Sequence, residues 1–180
     1  MAVEVICFTD GSACIKGDYA GVGGFGTFFP DLFGKKIAFS AGYSDAKVGM
    51  MEVLALLHAI EAMPLNRTES LVLTVYSDSE YVVKTFTEKR LEKWKNEGWK
   101  NTSGEVANKK LWIDIDSGLV KRKYLSLNMK HIKSHQIEKE KDPIKKEALK
   151  KDFYIRGNLI VDRLADYKRH AVLLDSKTIL

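Results

Sequence analysis

The spacing of apolar and polar residues predicts strands in the first part of the chain and alternating helices and strands after it. Residues 3–8, 25–29 and 36–43 are rich in β-forming side chains and are separated by glycine-rich or polar segments. Three such strands in succession predict an antiparallel meander. The sequence Thr9-Asp10-Gly11-Ser12 after the first strand is expected to form a tight turn.

The pattern then changes to that of a parallel crossover. Residues 48–63 are apolar over most of a helical surface, which predicts a helix buried on more than one side. Residues 71–76 form a nearly unbroken run of β-branched residues and leucine, typical of an interior strand, and a helical pattern follows residues 77–79. A further strand at 123–132 and a helix at 158–174 complete an α/β fold with a mixed five-stranded sheet.

Two segments do not fit the core pattern. Residues 89–110 are basic and carry two tryptophans, which predicts a basic helical protrusion. Residues 138–152 are rich in Lys and Glu and contain Pro143, which indicates a solvated helical insert. Neither segment resembles a linker, so residues 1–180 are expected to form a single domain.

Composition and charge narrow the class of protein. The chain has 180 residues, 45% of them hydrophobic, and a net charge of +5, which weakly favours a polyanionic partner. Cys7 and Cys14 have no metal-binding or redox spacing, so reduced thiols in a cytoplasmic protein are expected. No signal sequence begins the chain, and its longest apolar run, residues 50–63, is short and carries charges. No membrane association is expected.

Four carboxylates lie at positions that an ordinary structural role does not fully explain. Asp10 and Asp78 follow apolar strands, where a turn or a helix N-cap would also account for them. Glu52 and Asp162 lie on largely apolar helices, where a carboxylate is costly unless it is paired, metal-bound or at a solvent border. Ligands collect beyond strand ends in α/β sheets, so these four residues are expected to converge in one cleft.

Convergence of four carboxylates requires positive charge. Their repulsion would raise pKa values and destabilise the fold, and divalent cations would relieve it. A site of oxygen ligands without a His or Cys cluster suits Mg²⁺ or Mn²⁺ rather than Zn²⁺. Two such ions roughly 4 Å apart activate a water and stabilise the leaving oxygen of a phosphodiester.

In its ordered motifs the sequence resembles type I ribonuclease H. The motifs are Thr9-Asp10-Gly11-Ser12, Met51-Glu52, Ser77-Asp78-Ser79, the tract Trp94-Lys95-Asn96-Glu97-Gly98-Trp99-Lys100, Lys133-Ser134-His135, and Asp162-Arg163-Leu164-Ala165. Each motif alone is weak, but their order over residues 3–170 is specific.

The resemblance implies an endonuclease that cuts the RNA strand of RNA–DNA hybrids and leaves 5′-phosphate and 3′-hydroxyl ends. It implies Asp10, Glu52, Asp78 and Asp162 as ligands of two Mg²⁺ ions, with Mn²⁺ as an alternative, and His135 as a catalytic group on a mobile loop. It also implies contacts to the hybrid. The candidates for these contacts are Ser12, Lys93, Trp94, Lys95, Trp99, Lys100 and Asn108. Trp94 could instead be a core residue, since it lies three residues after Leu91.

The sequence departs from the family pattern at positions expected to read the hybrid. The family usually has Asn and Arg shortly before its helix Glu, where this chain has Val48-Gly49-Met50-Met51, and Glu80 stands where the family usually has Gln. Two other functions therefore remain open: a nuclease of the same fold acting on DNA junctions or duplexes, and a non-catalytic hybrid-binding module. Whatever its function, the chain is expected to be a freestanding monomer.

Overall fold

The computed structural model describes residues 2–178, and side chains as far as residue 172. Five strands form the central sheet in the order β3-β2-β1-β4-β7, and a two-stranded ribbon, β5-β6, stands apart from it. The strands are β1 (Val3–Ala13), β2 (Gly23–Leu32), β3 (Lys35–Tyr43), β4 (Leu71–Ser77), β5 (Lys100–Asn101), β6 (Gly104–Glu105) and β7 (Leu125–His131). The helices are α1 (Val48–Glu61), α2 (Glu80–Thr87), α3 (Arg90–Asn96), α4 (Lys109–Lys121), α5 (Gln136–Lys139), α6 (Pro143–Lys151) and α7 (Phe153–Thr178).

The sheet is mixed, which confirms the predicted fold class. Strands β1, β2 and β3 pair antiparallel as a meander, whereas β4 pairs parallel with both β1 and β7. The parallel pairings require crossovers, which α1 and the α2–α4 segment supply.

The first strand is longer than its sequence pattern predicts. Residues 9–12 are not a turn, because β1 runs on to Ala13 and its Thr9–Ala13 stretch pairs with Gly23–Thr27 of β2. Asp10 therefore lies inside a strand, opposite Gly26. Glycine is required at position 11 by close packing rather than by a turn. A Cβ on Gly11 would lie only 2.3 Å from the backbone N of Glu52.

The two faces of the sheet are covered by α1 and α7. Helix α1 buries nine residues, Glu52 among them, as its all-round apolar pattern predicts. Phe25, the partner of Gly11 in the sheet, stacks on His58 of α1 at 4.7 Å, which places α1 on that face. The neighbouring positions Asp10 and Ser12 alternate to the opposite face, where α7 packs.

Glycines let α7 approach this face closely. A Cβ on Gly24 would lie 2.4 Å from the carbonyl oxygen of Ala165, and one on Gly26 would lie 2.6 Å from that of Val161. On the helix side, a Cβ on Gly157 would lie 2.3 Å from the ring of Phe8. The contact begins earlier than the sequence pattern predicts, because α7 starts at Phe153 rather than at residue 158.

The two irregular segments form separate substructures. Helix α3, the β5-β6 ribbon and the start of α4 make up the protrusion at 89–110. The segment at 138–152 contains the end of α5 and all of α6, where Asp142 caps α6 by accepting from the amides of Ile144 and Lys145. None of the α6 residues is buried, as expected of a solvated insert.

Candidate active site

Strand register and close packing bring three carboxylates together. Ser77 ends β4 opposite Thr9 of β1, so Asp78 emerges directly beside Asp10. Glu52 reaches the same point from α1, whose backbone lies against Gly11. Asp78 does not cap α2, since the residue at the N-cap position is Ser79 and it makes no side-chain capping bond.

The three carboxylates form a compact oxygen cluster. Asp10, Glu52 and Asp78 each offer one oxygen, and these oxygens lie within 4.8 Å of one another. Asp10 is 6% exposed and Glu52 is 7% exposed, and one oxygen of Glu52, Oε2, is buried with no hydrogen-bond partner. A buried carboxylate oxygen without a donor is costly unless a cation binds it, so this cluster can hold a divalent metal.

Burial and mutual repulsion set the electrostatics of the cluster. Burial, followed by the charges of Asp78 and Asp162, raises the pKa of Asp10 to about 8. Burial and then the charge of Asp10 raise the pKa of Glu52 well above its ordinary value. Burial also raises the pKa of Asp78, although the nearby His135 and His131 oppose that change. Without a cation the site therefore favours protons on its carboxylates.

The raised pKa of Asp10 predicts that the contribution of Asp10 to the free energy of unfolding of the metal-free protein falls as the pH rises. The folded state holds the Asp10 proton more tightly than the unfolded state, so the stabilisation is present at low pH and is lost between about pH 4 and pH 8. The gain in unfolding free energy on Asp10→Asn should thus be larger at pH 8 than at pH 5, by roughly 1–3 kcal/mol. Urea unfolding in EDTA measures this gain, with Asp114→Asn as an exposed control. A gain at pH 8 that is equal to or smaller than the gain at pH 5 would contradict a raised pKa of Asp10.

Asp162 lies at the edge of the cluster rather than inside it. It follows Val161, the residue that packs on Gly26, which is the sheet partner of Asp10. Its charge raises the pKa of Asp10, and burial, followed by the charge of Asp166, raises its own pKa. All four predicted carboxylates are therefore neighbours, with Asp162 on the side of α7.

His135 faces the same edge from the loop after β7. It has a left-handed backbone, φ 53°, and its half-exposed ring has Nδ1 3.8 Å from Glu138 Oε2. Asp78, Asp162 and His135, with Asn158, line a cavity of about 20 Å³, which is large enough for one water. The buried Oδ1 of Asn158 has no protein partner, and a water here would satisfy it.

A further acidic residue, which is not among the predicted site residues, lies near the site. Asp166 lies one turn after Asp162 on α7 and accepts a hydrogen bond from Ser12 Oγ at 2.8 Å. The spacing of four residues from Asp162 was the available signal, since it places both carboxylates on one face of the helix.

The protrusion holds its predicted contact residues in different environments. Trp94 is 8% exposed and its ring centroid lies 5.8 Å from that of Trp112, which agrees with the alternative that it is a core residue. Trp99 is half-buried, and Lys100 is exposed. Lys95 pairs with Asp116 at 2.8 Å, and Lys93 lies 4.0 Å from Glu97.

Ser12 lies on the α7 side of the site, and Asn108 lies beside the start of α1. The hydroxyl of Ser12 donates to Asp166, so its oxygen keeps only an accepting role. Asn108 has a left-handed backbone, φ 58°, and its Nδ2 would lie 3.6 Å from a Cβ on Gly49. Glu80, the other departure from the family pattern, pairs with Lys84 at 2.5 Å.

The site geometry agrees with comparisons to known proteins. A family model described as RNase H matches residues 2–169. The chain belongs to the ribonuclease H family. Ribonuclease H of Lachnoclostridium phytofermentans is 36% identical over 115 residues, which cover 61% of this chain and 69% of that protein. Ribonuclease HI of Haemophilus influenzae is 32% identical over 143 residues, covering 79% and 85% of the two chains.

Solved ribonuclease H structures share the fold. LC11-RNase H1, solved in complex with RNA/DNA hybrid, has a TM-score of 0.63 at 19% identity and covers 94% of this chain and 99% of that one. The foamy viral protease-reverse transcriptase, also solved with RNA/DNA hybrid, has a TM-score of 0.69 at 18% identity. That match covers 93% of this chain, which spans only 20% of the length of the viral chain.

The helices offer no candidate for a bilayer crossing. Across residues 2–178, no helix is both long enough and apolar enough to span a membrane.

Proposed function

We propose that this ribonuclease H hydrolyses the RNA strand of RNA–DNA hybrids by a two-metal reaction that leaves 5′-phosphate and 3′-hydroxyl ends. The observation that carries the proposal is the buried cluster of Asp10, Glu52 and Asp78, with its unpartnered Glu52 oxygen. Membership of the ribonuclease H family supports the substrate, and the hybrid complexes of two proteins with the same fold agree with it.

The carboxylates would act as the ligands of two Mg²⁺ ions. Asp10 shares an oxygen cluster with Glu52 and Asp78, and the charge of Asp162 also acts on it, so Asp10 would help to hold both cations. When bound, the ions supply charge that activates the attacking water and stabilises the departing 3′-oxygen. The all-oxygen donor set favours Mg²⁺ or Mn²⁺ over softer metals.

His135 would transfer protons at the edge of the carboxylate cluster. It shares the one-water cavity with Asp78 and Asp162, and its half-exposed ring reaches both bulk solvent and the site. An imidazole in that position can carry a proton between solvent and a water held beside the carboxylates.

The hybrid would be held mainly through its phosphates. Lys93, Lys95 and Lys100 are exposed on the protrusion, and phosphate contacts can replace the side-chain ion pairs that two of them make. Trp99, half-buried beside them, can present a ring edge to a sugar. Ser12, on the strand of Asp10, and Asn108, beside the start of α1, offer polar groups that can reach a 2′-hydroxyl.

The chain would act as one domain and as a monomer. One five-stranded sheet joins the first and second halves, since β1 pairs with both β2 and β4. Both cysteines are free, which agrees with the reducing cytoplasm. Light scattering coupled to size exclusion tests the monomer.

The decisive experiment is cleavage of labelled substrates with Mg²⁺ and with EDTA. We expect the RNA strand of a hybrid to be cut only with Mg²⁺, because the carboxylates alone repel a phosphodiester. Duplex DNA, duplex RNA and a four-way DNA junction serve as parallel substrates, and the ends of the products are mapped.

Each alternative predicts a different result in that panel. Preferential cutting of the junction or of duplex DNA would replace the proposal with a DNA nuclease of the same fold. Tight hybrid binding without cutting in either Mg²⁺ or Mn²⁺ would replace it with a binding module.

A further inference from the structure

Asp166 lies close enough to the carboxylate cluster for its charge to act on a bound cation without contacting it. Its carboxylate accepts from Ser12 Oγ at 2.8 Å, and Ser12 is on the same strand and sheet face as Asp10. The packing holds this arrangement, because Gly24, the sheet partner of Ser12, lies directly beneath the backbone of Ala165. Asp166 is therefore fixed next to the strand that carries Asp10.

The charge of Asp166 is felt by both neighbouring ligands. It contributes to the raised pKa of Asp10, and after burial it is the largest cause of the raised pKa of Asp162. One cation opposes it: Arg169 pairs with Asp166 at 3.0 Å, and the side chain of Asp166 remains 45% exposed. The edge of the site near α7 thus carries an acidic group whose charge is partly offset by an arginine.

We propose that Asp166 is a fifth acidic residue of the site, a positioning residue that strengthens divalent-cation binding by its charge, while Arg169 limits that effect. This proposal rests on the proposed function, since it concerns the cations that the four carboxylates would hold. A negative charge that repels Asp10 and Asp162 in the metal-free protein attracts a cation bound between them. The Asp166–Arg169 pair therefore sets the affinity of the site without either residue having to touch the metal.

Four proteins separate charge from hydrogen bonding. Asp166→Asn keeps the size of the side chain and an oxygen that can accept from Ser12, but it removes the charge. Arg169→Gln removes the offsetting cation, and Ser12→Ala removes the hydrogen bond but keeps the charge. The parent is the fourth protein, and the measured quantity is the Kd of Mn²⁺ alone, by calorimetry without nucleic acid.

The expected shifts have opposite signs. Asp166→Asn should raise the Kd of Mn²⁺ by roughly 3- to 10-fold at low ionic strength, and Arg169→Gln should lower it. Ser12→Ala should stay within about 2-fold of the parent. Since Asp166 is partly exposed, the ratio between Asp166→Asn and parent should shrink in roughly 0.5 M KCl. Circular dichroism and the metal-free Tm check that each variant is folded.

Several results would overturn the proposal. An unchanged Kd in both charge variants would do so, and so would a Ser12→Ala effect as large as that of Asp166→Asn, which would assign the role to the hydrogen bond. A ratio that does not respond to salt would also contradict it. These failures leave the proposed function intact if the parent binds Mn²⁺ and cuts the hybrid, whereas a parent that binds no Mn²⁺ overturns both.

Discussion

Asp10→Asn is expected to abolish cleavage of an RNA–DNA hybrid, with a rate loss of roughly 1,000-fold or more. A loss of that size corresponds to about 4 kcal/mol of transition-state stabilisation. The reason is the position of Asp10, which is buried in a cluster with Glu52 and Asp78 and is close enough to Asp162 for that charge to act on it. An asparagine fills the same space but removes a negative charge from the cluster that would hold the divalent metal.

The same variant should keep its fold and its affinity for the hybrid. Removing the Asp10 charge relieves repulsion in the metal-free cluster, so the variant should be at least as stable as the parent in EDTA. Asp114→Asn is the matched control, because Asp114 is an exposed aspartate on α4. Single-turnover cleavage and fluorescence anisotropy, measured on the same hybrid, give the two quantities. Parent-like cutting by Asp10→Asn would remove Asp10 from the site.

The main elements of the fold could be predicted because each has a strong local pattern. Strand β4 is a run rich in β-branched residues and leucine, and α1 is apolar over most of its surface, so each could be recognised without its neighbours. Their order alone then implied the mixed sheet. Strand pairing was harder to predict: the Thr9–Ser12 segment has turn-forming residues but is held in β1 by its pairing with β2.

The site could be predicted only as far as single residues carry unusual chemistry. Glu52 was recognisable because burying a carboxylate on an apolar helix is costly unless a partner or a metal binds it. The structure shows that Glu52 is buried. Asp166 has no such mark, since its role depends on the closeness of α7 to β1 and β2, which glycines on β2 determine. Trp94 shows the reverse: an aromatic residue in a basic tract suggested nucleic acid, but contact with Trp112 makes it core.

The close packing of α7 on the sheet leads to a second large expected effect, at Gly26. Gly26→Ala should lower the unfolding free energy by about 2–4 kcal/mol, because packed cores tolerate an added methyl poorly. The new Cβ would lie 2.6 Å from the carbonyl oxygen of Val161, a backbone atom that cannot rotate away. Helix α7 must then move off the sheet, and Asp162, the residue after Val161, moves with it.

Gly49→Ala is the matched control for this clash. Its Cβ would meet Asn108 Nδ2 at 3.6 Å, an ordinary contact, and alanine favours the first turn of α1. Both substitutions restrict the unfolded chain equally, so the difference between them in urea unfolding isolates the effect of the contact with α7. We expect the unfolding free energy of Gly49→Ala to stay within about 1 kcal/mol of that of the parent.

We also expect Gly26→Ala to bind Mn²⁺ more weakly than Gly49→Ala, because the displaced helix carries Asp162. If the two variants are equally stable and bind Mn²⁺ equally well, α7 is not held against β2 in the way that positions Asp162 beside Asp10.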